Sequence, residues 1–199
     1  MVSGRVMKVE NYKVTKEPAR DTPFSKLPES VKEKFWTLAQ SLKTNRMNVC
    51  PQGSIAYLKQ MLKIYPEVPQ IYNYLYNTYK ISQDHINARL ILEETVRRFP
   101  DYLFGRVALA HECIDKNEFD RVPKIFESKY DLKLLYPKRN SFHVTEVLFF
   151  CSLMARYFHA IGRVEKIQKY HKIMKKINSD PDLSSFPIIF KTYTLGSDN

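Results

Sequence analysis

Cysteine is scarce in this chain: Cys50, Cys113 and Cys151 lie far apart, are odd in number and have apolar neighbours. That argues against a disulfide framework and, with no C-x-x-C spacing, against a cysteine-based zinc site. It suits small buried side chains in a reducing compartment, so a cytoplasmic location is expected. Glycine is almost as sparse, and Gly4, Gly53, Gly105, Gly162 and Gly196 form neither G-x-G-x-x-G nor a phosphate-cradling loop, which speaks against nucleotide-dependent catalysis. H-E-x-x-H and G-x-S-x-G are missing too, and no cysteine has the local signature of a nucleophile. No run approaches the roughly 18 apolar residues of a membrane span. Met1 to Arg20 carries charges throughout rather than a basic flank followed by an apolar stretch, so no secretory leader is expected. These absences predict a protein that is not an enzyme, with no cofactor and no metal.

What is present is enough apolar material, 44% of 199 residues, to bury a real core in one ordinary domain or a short repeat array. Lys and Arg total 32 against 21 Asp and Glu, a formal charge of +11. The excess is concentrated: residues 129–176 hold 11 basic side chains and, on the acidic side, only Asp131, Glu146 and Glu165. Such a field attracts anionic partners, whether acidic protein, nucleic acid or lipid surface.

Residues 1–27 show no sustained period and contain Pro18 and Pro23, so an extended or flexible arm is expected there. Ser30-x-x-Glu33 has the form of a capping box ahead of Val31, Phe35, Leu38 and Leu42, predicting a helix over 31–43. Beyond Pro51, apolar stripes and their stop signals predict helices over 52–65, 69–81, 84–98, 102–115, 118–128, 143–161 and 163–178. The breaks are Pro66, Pro69, Ser82 to Asp84, Pro100 with Asp101, Asp115 to Asn117, Ser141 and Gly162. The tail 181–199 carries Pro181, Pro187 and an apolar patch of Phe186, Ile188, Ile189 and Phe190.

Pro66 and Pro100 both close a helix and stand 34 positions apart. Between them run Tyr72-x-x-Leu75-Tyr76-x-x-Tyr79 and Ala88-x-x-x-Leu92. Large residues at Tyr72, Leu75 and Tyr79 are suited to fill a hairpin seam, while the small Ala88 lets the second helix approach closely. A looser unit follows in Leu109-Ala110-x-x-Cys113, Asn117-Glu118-Phe119 and Val122-x-x-x-Phe126. A third offers Met154-Ala155-x-x-Phe158, Gly162 and Ile167-x-x-x-His171, after an insertion at 129–142.

On these residues, 31–178 resembles the tetratricopeptide repeat superfamily, with Tyr for the consensus Trp, Leu for the Phe, and Tyr76 departing from the small Gly. The segments Phe99 to Phe104 and Ser141 to Val147 also look like uncharacterised bacterial repeat proteins, some with an added C-terminal metal-binding segment that has no Cys/His-rich counterpart here. The resemblance implies an all-α fold, a right-handed superhelix of three to four antiparallel hairpins over 28–180. It also implies a concave face that binds a peptide or partner protein. In that register the groove residues are Gln70, Asn73, Asn77 and Lys80, then Phe104, Val107 and His111, then Phe149, Ser152, Arg156 and His159. Side-chain amides suit an extended backbone because they donate and accept at once, and Lys80 and Arg156 favour a carboxylate or phosphate. Asn77 resembles one asparagine of the family's chaperone-binding clamp, but Phe104 and Ala108 stand where basic residues would be needed, so that function is not carried over.

Tyr72, Tyr79, Phe126 and Phe158 are read as packing residues rather than base-stacking platforms. His143 and Glu146 are read as a polar pair at a helix start that touches the inserted loop. On the last helix Val164, Ile167, His171 and Met174 are expected to form the apolar seam. Arg163, Lys166, Lys169, Lys172 and Lys176 make a basic patch, the alternative surface for nucleic acid or another anionic partner.

Overall fold

A computed structural model describes residues 7–9, 11–17, 22–43 and 51–183. Cys50, Gly4, Gly196, Pro18 and the tail patch from Phe186 to Phe190 lie outside these. The described chain is predominantly helical with one small sheet, and it divides into two compact units, 20–105 and 1–19 with 106–199. The sequence groups 28–180 as one array; by compactness the chain divides within it.

The 20–105 unit contains α1 (Glu29–Lys43), α2 (Pro51–Ile64), α3 (Pro69–Ile81) and α4 (His85–Arg98). The α1 helix begins at Glu29, with the Pro28 carbonyl accepting from Val31 and Lys32. Ser30 therefore falls inside the first turn and does not serve as the expected cap. Phe35 is buried against Phe24, Tyr57 and Tyr74. Pro69 opens α3, where a missing N–H costs no hydrogen bond. Asp84 caps α4, accepting from the Asn87 backbone at 3.1 Å and its side-chain amide at 2.6 Å, bonds that hold its carboxyl below the usual range. Tyr72, Leu75, Tyr76, Tyr79, Ala88 and Leu92 are all buried, and Ala88 leaves room for α3 and α4 to pack together.

The helix α5 (Leu103–Asp115) starts at the end of this unit and runs into the next. The second unit then holds α6 (Arg121–Ile125), α7 (Leu132–Leu135), α8 (Val144–Ala160) and α9 (Val164–Asn178). The expected helix over 118–128 is cut to α6 because Glu127 and Ser128 both take positive φ, conformations that stop a right-handed helix.

Within the expected arm, Met7–Val9 (β1) and Tyr12–Thr15 (β2) form an antiparallel pair. The β2 strand also pairs in parallel with Ser141–His143 (β3), placing Val14 beside Phe142. The described chain is thus mostly helical, as the all-α expectation has it, with a small three-stranded sheet that the expectation lacks. Its alternating residues Met7, Val9, Tyr12, Val14 and Phe142 are buried, but strands of three or four residues give too short an alternation to stand out as a period-two signal. The helix α8 is buried on nearly all sides, from Val144 through Phe158, and packs against α9.

Three helix ends share one device. Gln83, Asn117 and Gly162 take φ of 58°, 58° and 69° after α3, α5 and α8. The next residue in each case, Asp84, Glu118 or Arg163, donates its N–H to the carbonyl five positions back, at 2.9, 2.8 and 2.7 Å. This is a left-handed C-terminal cap that satisfies otherwise open carbonyls.

Candidate functional site

On α3 the buried positions are Ile71, Tyr72, Leu75, Tyr76, Thr78 and Tyr79. At about 100° per residue, Gln70, Asn73 and Asn77 share the other side of the helix with exposed Lys80 and Ile81. Asn77 donates its side-chain N–H to the Asn73 carbonyl at 2.9 Å, and among the described residues its own amide oxygen accepts no hydrogen bond. The Gln70 Oε1 is buried and has no hydrogen-bond donor among the described residues. An unmade bond to a buried acceptor costs about 1–3 kcal/mol, and with no accessible surface this atom is closed to a ligand.

The second unit holds the other expected groove residues from Val107 onward. Val107 and Ser152 are each 3% exposed and offer no surface to a ligand; both sit on helix faces that pack inward, so they leave the candidate groove. Phe104, at the end of the first unit, and Phe149 are half-buried, and His159 is exposed at the end of α8.

Arg156 and His111 are brought together. The Arg156 guanidinium meets His111 Nδ1 at 3.0 Å and also binds the Asp115 carboxylate. Arginine has only donors, so Nδ1 must accept and the imidazole proton sits on Nε2. Burial, reinforced by the positive charge of Arg156, lowers the His111 pKa to about 4. The result is a neutral histidine, a partly covered arginine and a half-exposed aspartate. Asp115 joins this cluster although it stands outside the expected groove: its place one turn after His111 points to it, while its position at an expected helix break points away.

His143 and Glu146 form a structural cap. Glu146 accepts the His143 N–H at 2.9 Å and takes a bidentate pair from Arg139 at 2.9 and 2.7 Å, while the Arg139 guanidinium lies over Phe142. His143 Nδ1 accepts from Thr145, and its Nε2 meets the Lys16 carbonyl at 2.9 Å. Both ring nitrogens and the carboxylate are therefore engaged by protein. Among the described residues no cluster of three His, Cys, Asp or Glu side chains could hold a metal. The chain matches no family model, no curated protein and no solved structure.

On α9 the expected seam is rotated. Ile167, Tyr170, Ile173 and Ile177 are the buried side chains, whereas Val164 is 61% exposed and His171 and Met174 are half-buried. Tyr170 is the reason, since it stacks on Phe158 and donates to the Tyr130 carbonyl at 2.9 Å. The basic side chains remain outside: Arg163, Lys166, Lys169, Lys172 and Lys176 are all exposed. Lys169 binds Asp131 at 3.1 Å, Lys166 lies 5.1 Å over the Phe158 ring and Lys176 donates to the Lys8 carbonyl at 2.8 Å. Tyr72, Tyr79, Phe126 and Phe158 are core residues, at most 4% exposed. Among the described residues no helix is long and apolar enough to cross a membrane.

Proposed function

We propose that this chain is a protein-binding adaptor whose helical hairpins belong to a tetratricopeptide-like superhelix and whose α3 amide face receives an extended segment of a partner protein. The observation that carries the reading is the row of half-buried amides Gln70, Asn73 and Asn77 on one side of α3, with Asn77 using only its side-chain N–H on the Asn73 carbonyl. A peptide backbone presents N–H and C=O groups in alternation, and it would use the donor and acceptor functions of the Asn73 and Asn77 amides. Lys80 at the end of the row favours an acidic side chain in the same segment. The repeat reading is supported by the caps described above: Gln83 and Asn117 lie 34 positions apart, the same interval as Pro66 and Pro100.

Photo-cross-linking residues placed at Asn73 or Asn77 should capture a protein from cell extract whether or not nuclease is added. With that partner purified, Asn73→Ala combined with Asn77→Ala should weaken binding by about 1–3 kcal/mol, the sum for two neutral hydrogen bonds, with little change in salt dependence. Capture abolished by nuclease, or unchanged affinity in the double variant, would rule out this face as the binding surface.

A further inference from the structure

The β1–β2 hairpin and α9 place lysines side by side that are more than a hundred and fifty positions apart in sequence. Lys8 and Lys13 are direct cross-strand partners, and both face away from the buried side of the sheet formed by Met7, Val9, Tyr12 and Val14. Like charges placed opposite one another destabilise a sheet. The Lys176 ammonium donates to the Lys8 carbonyl, bringing the last turns of α9, with exposed Lys172 and Lys175, to the free edge of β1. Shielding an open strand edge accounts for Lys176 alone; it leaves the Lys8/Lys13 pair without a purpose. On neighbouring positions Lys169 pairs with Asp131 and Lys16 with Asp182. Among the described residues, Lys8, Lys13, Lys172 and Lys175 form no ion pair.

We infer that this composite lysine face binds the phosphate backbone of duplex nucleic acid. Positive groups spread over a two-stranded ribbon and successive turns of a helix match a repeating anion better than a single carboxylate. A lipid surface suits the face less, because the apolar side of α9 is buried in the protein and cannot insert into a bilayer. Single strands need rings to stack on, whereas the rings nearest α9, Tyr130, Tyr157, Phe158 and Tyr170, are packed on one another. Contact is therefore to phosphate, independent of base sequence. This binding is separate from the partner proposed for α3, whose residues belong to the other unit, so either can fail alone.

The test is fluorescence anisotropy of the full chain with a labelled duplex of mixed sequence, at about 50 and 200 mM salt. Binding should weaken steeply with salt, by about 0.9 in logarithmic slope for each phosphate neutralised. Lys8→Gln with Lys13→Gln should lower that slope by up to about two and the affinity about tenfold at low salt. Lys8→Arg with Lys13→Arg should restore both, which separates lost charge from lost folding. Lys59→Gln with Lys63→Gln, in the other unit, should leave both unchanged. The inference is overturned by absent duplex binding at low salt, by an unchanged slope in the Lys8/Lys13 variant, or by sedimentation with phosphatidylserine vesicles in the absence of duplex binding.

Discussion

His111 gives up a proton far more readily than a free imidazole because it is largely covered and already accepts a hydrogen bond from a cation. Its folded-state pKa of about 4 lies below the ordinary 6.5, so the unfolded chain binds more protons between these values. Stability from this group is complete above pH 6.5 and is lost as pH falls toward 4. Comparing melting temperatures at pH 7 and pH 4, the wild type should lose up to about 3 kcal/mol that His111→Gln does not lose, since glutamine keeps an acceptor without the proton. Equal losses in both proteins would mean that the histidine titrates normally. At this scale the sequence conveyed residue type but not pairing: His111 and Arg156 were both visible as groove candidates. Their contact depends on two helices 45 positions apart, and neither periodicity nor composition encodes which side chains meet.

Among the elements, helices were legible almost residue by residue where a proline or a polar break stood at each end, as for α3, expected at 69–81 and found at Pro69–Ile81. The face of a helix was less legible than its extent. On α9 the apolar residues permit two seams, and Tyr170 decides between them, an amphipathic ring that apolar spacing alone does not mark. Ends with left-handed caps also follow a physical rule, because only glycine takes that conformation without a Cβ penalty. Gly162 has open space where a Cβ would go, so Gly162→Ala tests conformation alone and should cost about 0.5–1 kcal/mol in chemical denaturation. The converse change, Gln83→Gly, should be neutral or stabilising by about 0.5 kcal/mol, since relief at positive φ outweighs the added freedom of the unfolded chain. Stabilisation by Gly162→Ala would show that the turn is not held in the left-handed region.

For the whole molecule, a predominantly helical reading followed directly from the 3.6-residue period of most segments, and the sheet was missed because its strands are short and distant. Val14 and Phe142 are both almost fully buried, at 0% and 1% exposure, and Tyr12 packs edge-on against Phe142 at 5.1 Å. Deleting residues 1–17 should therefore destabilise the protein by several kcal/mol, as each buried apolar side chain contributes about 1.5–3 kcal/mol as an upper bound. An unchanged melting temperature with no new binding of a hydrophobic dye would show these strands to be dispensable. The pairing of β2 with β3 has a further consequence in time. A ribosome adding 5–20 residues per second makes Thr15 roughly ten seconds before it reaches Ser141, so the nascent hairpin emerges with its inner side chains wet and its partner edge not yet synthesised. A chaperone engaging the growing chain should find its footing at Val9, Tyr12 and Val14, and should be released only once the segment around Phe142 has cleared the exit tunnel.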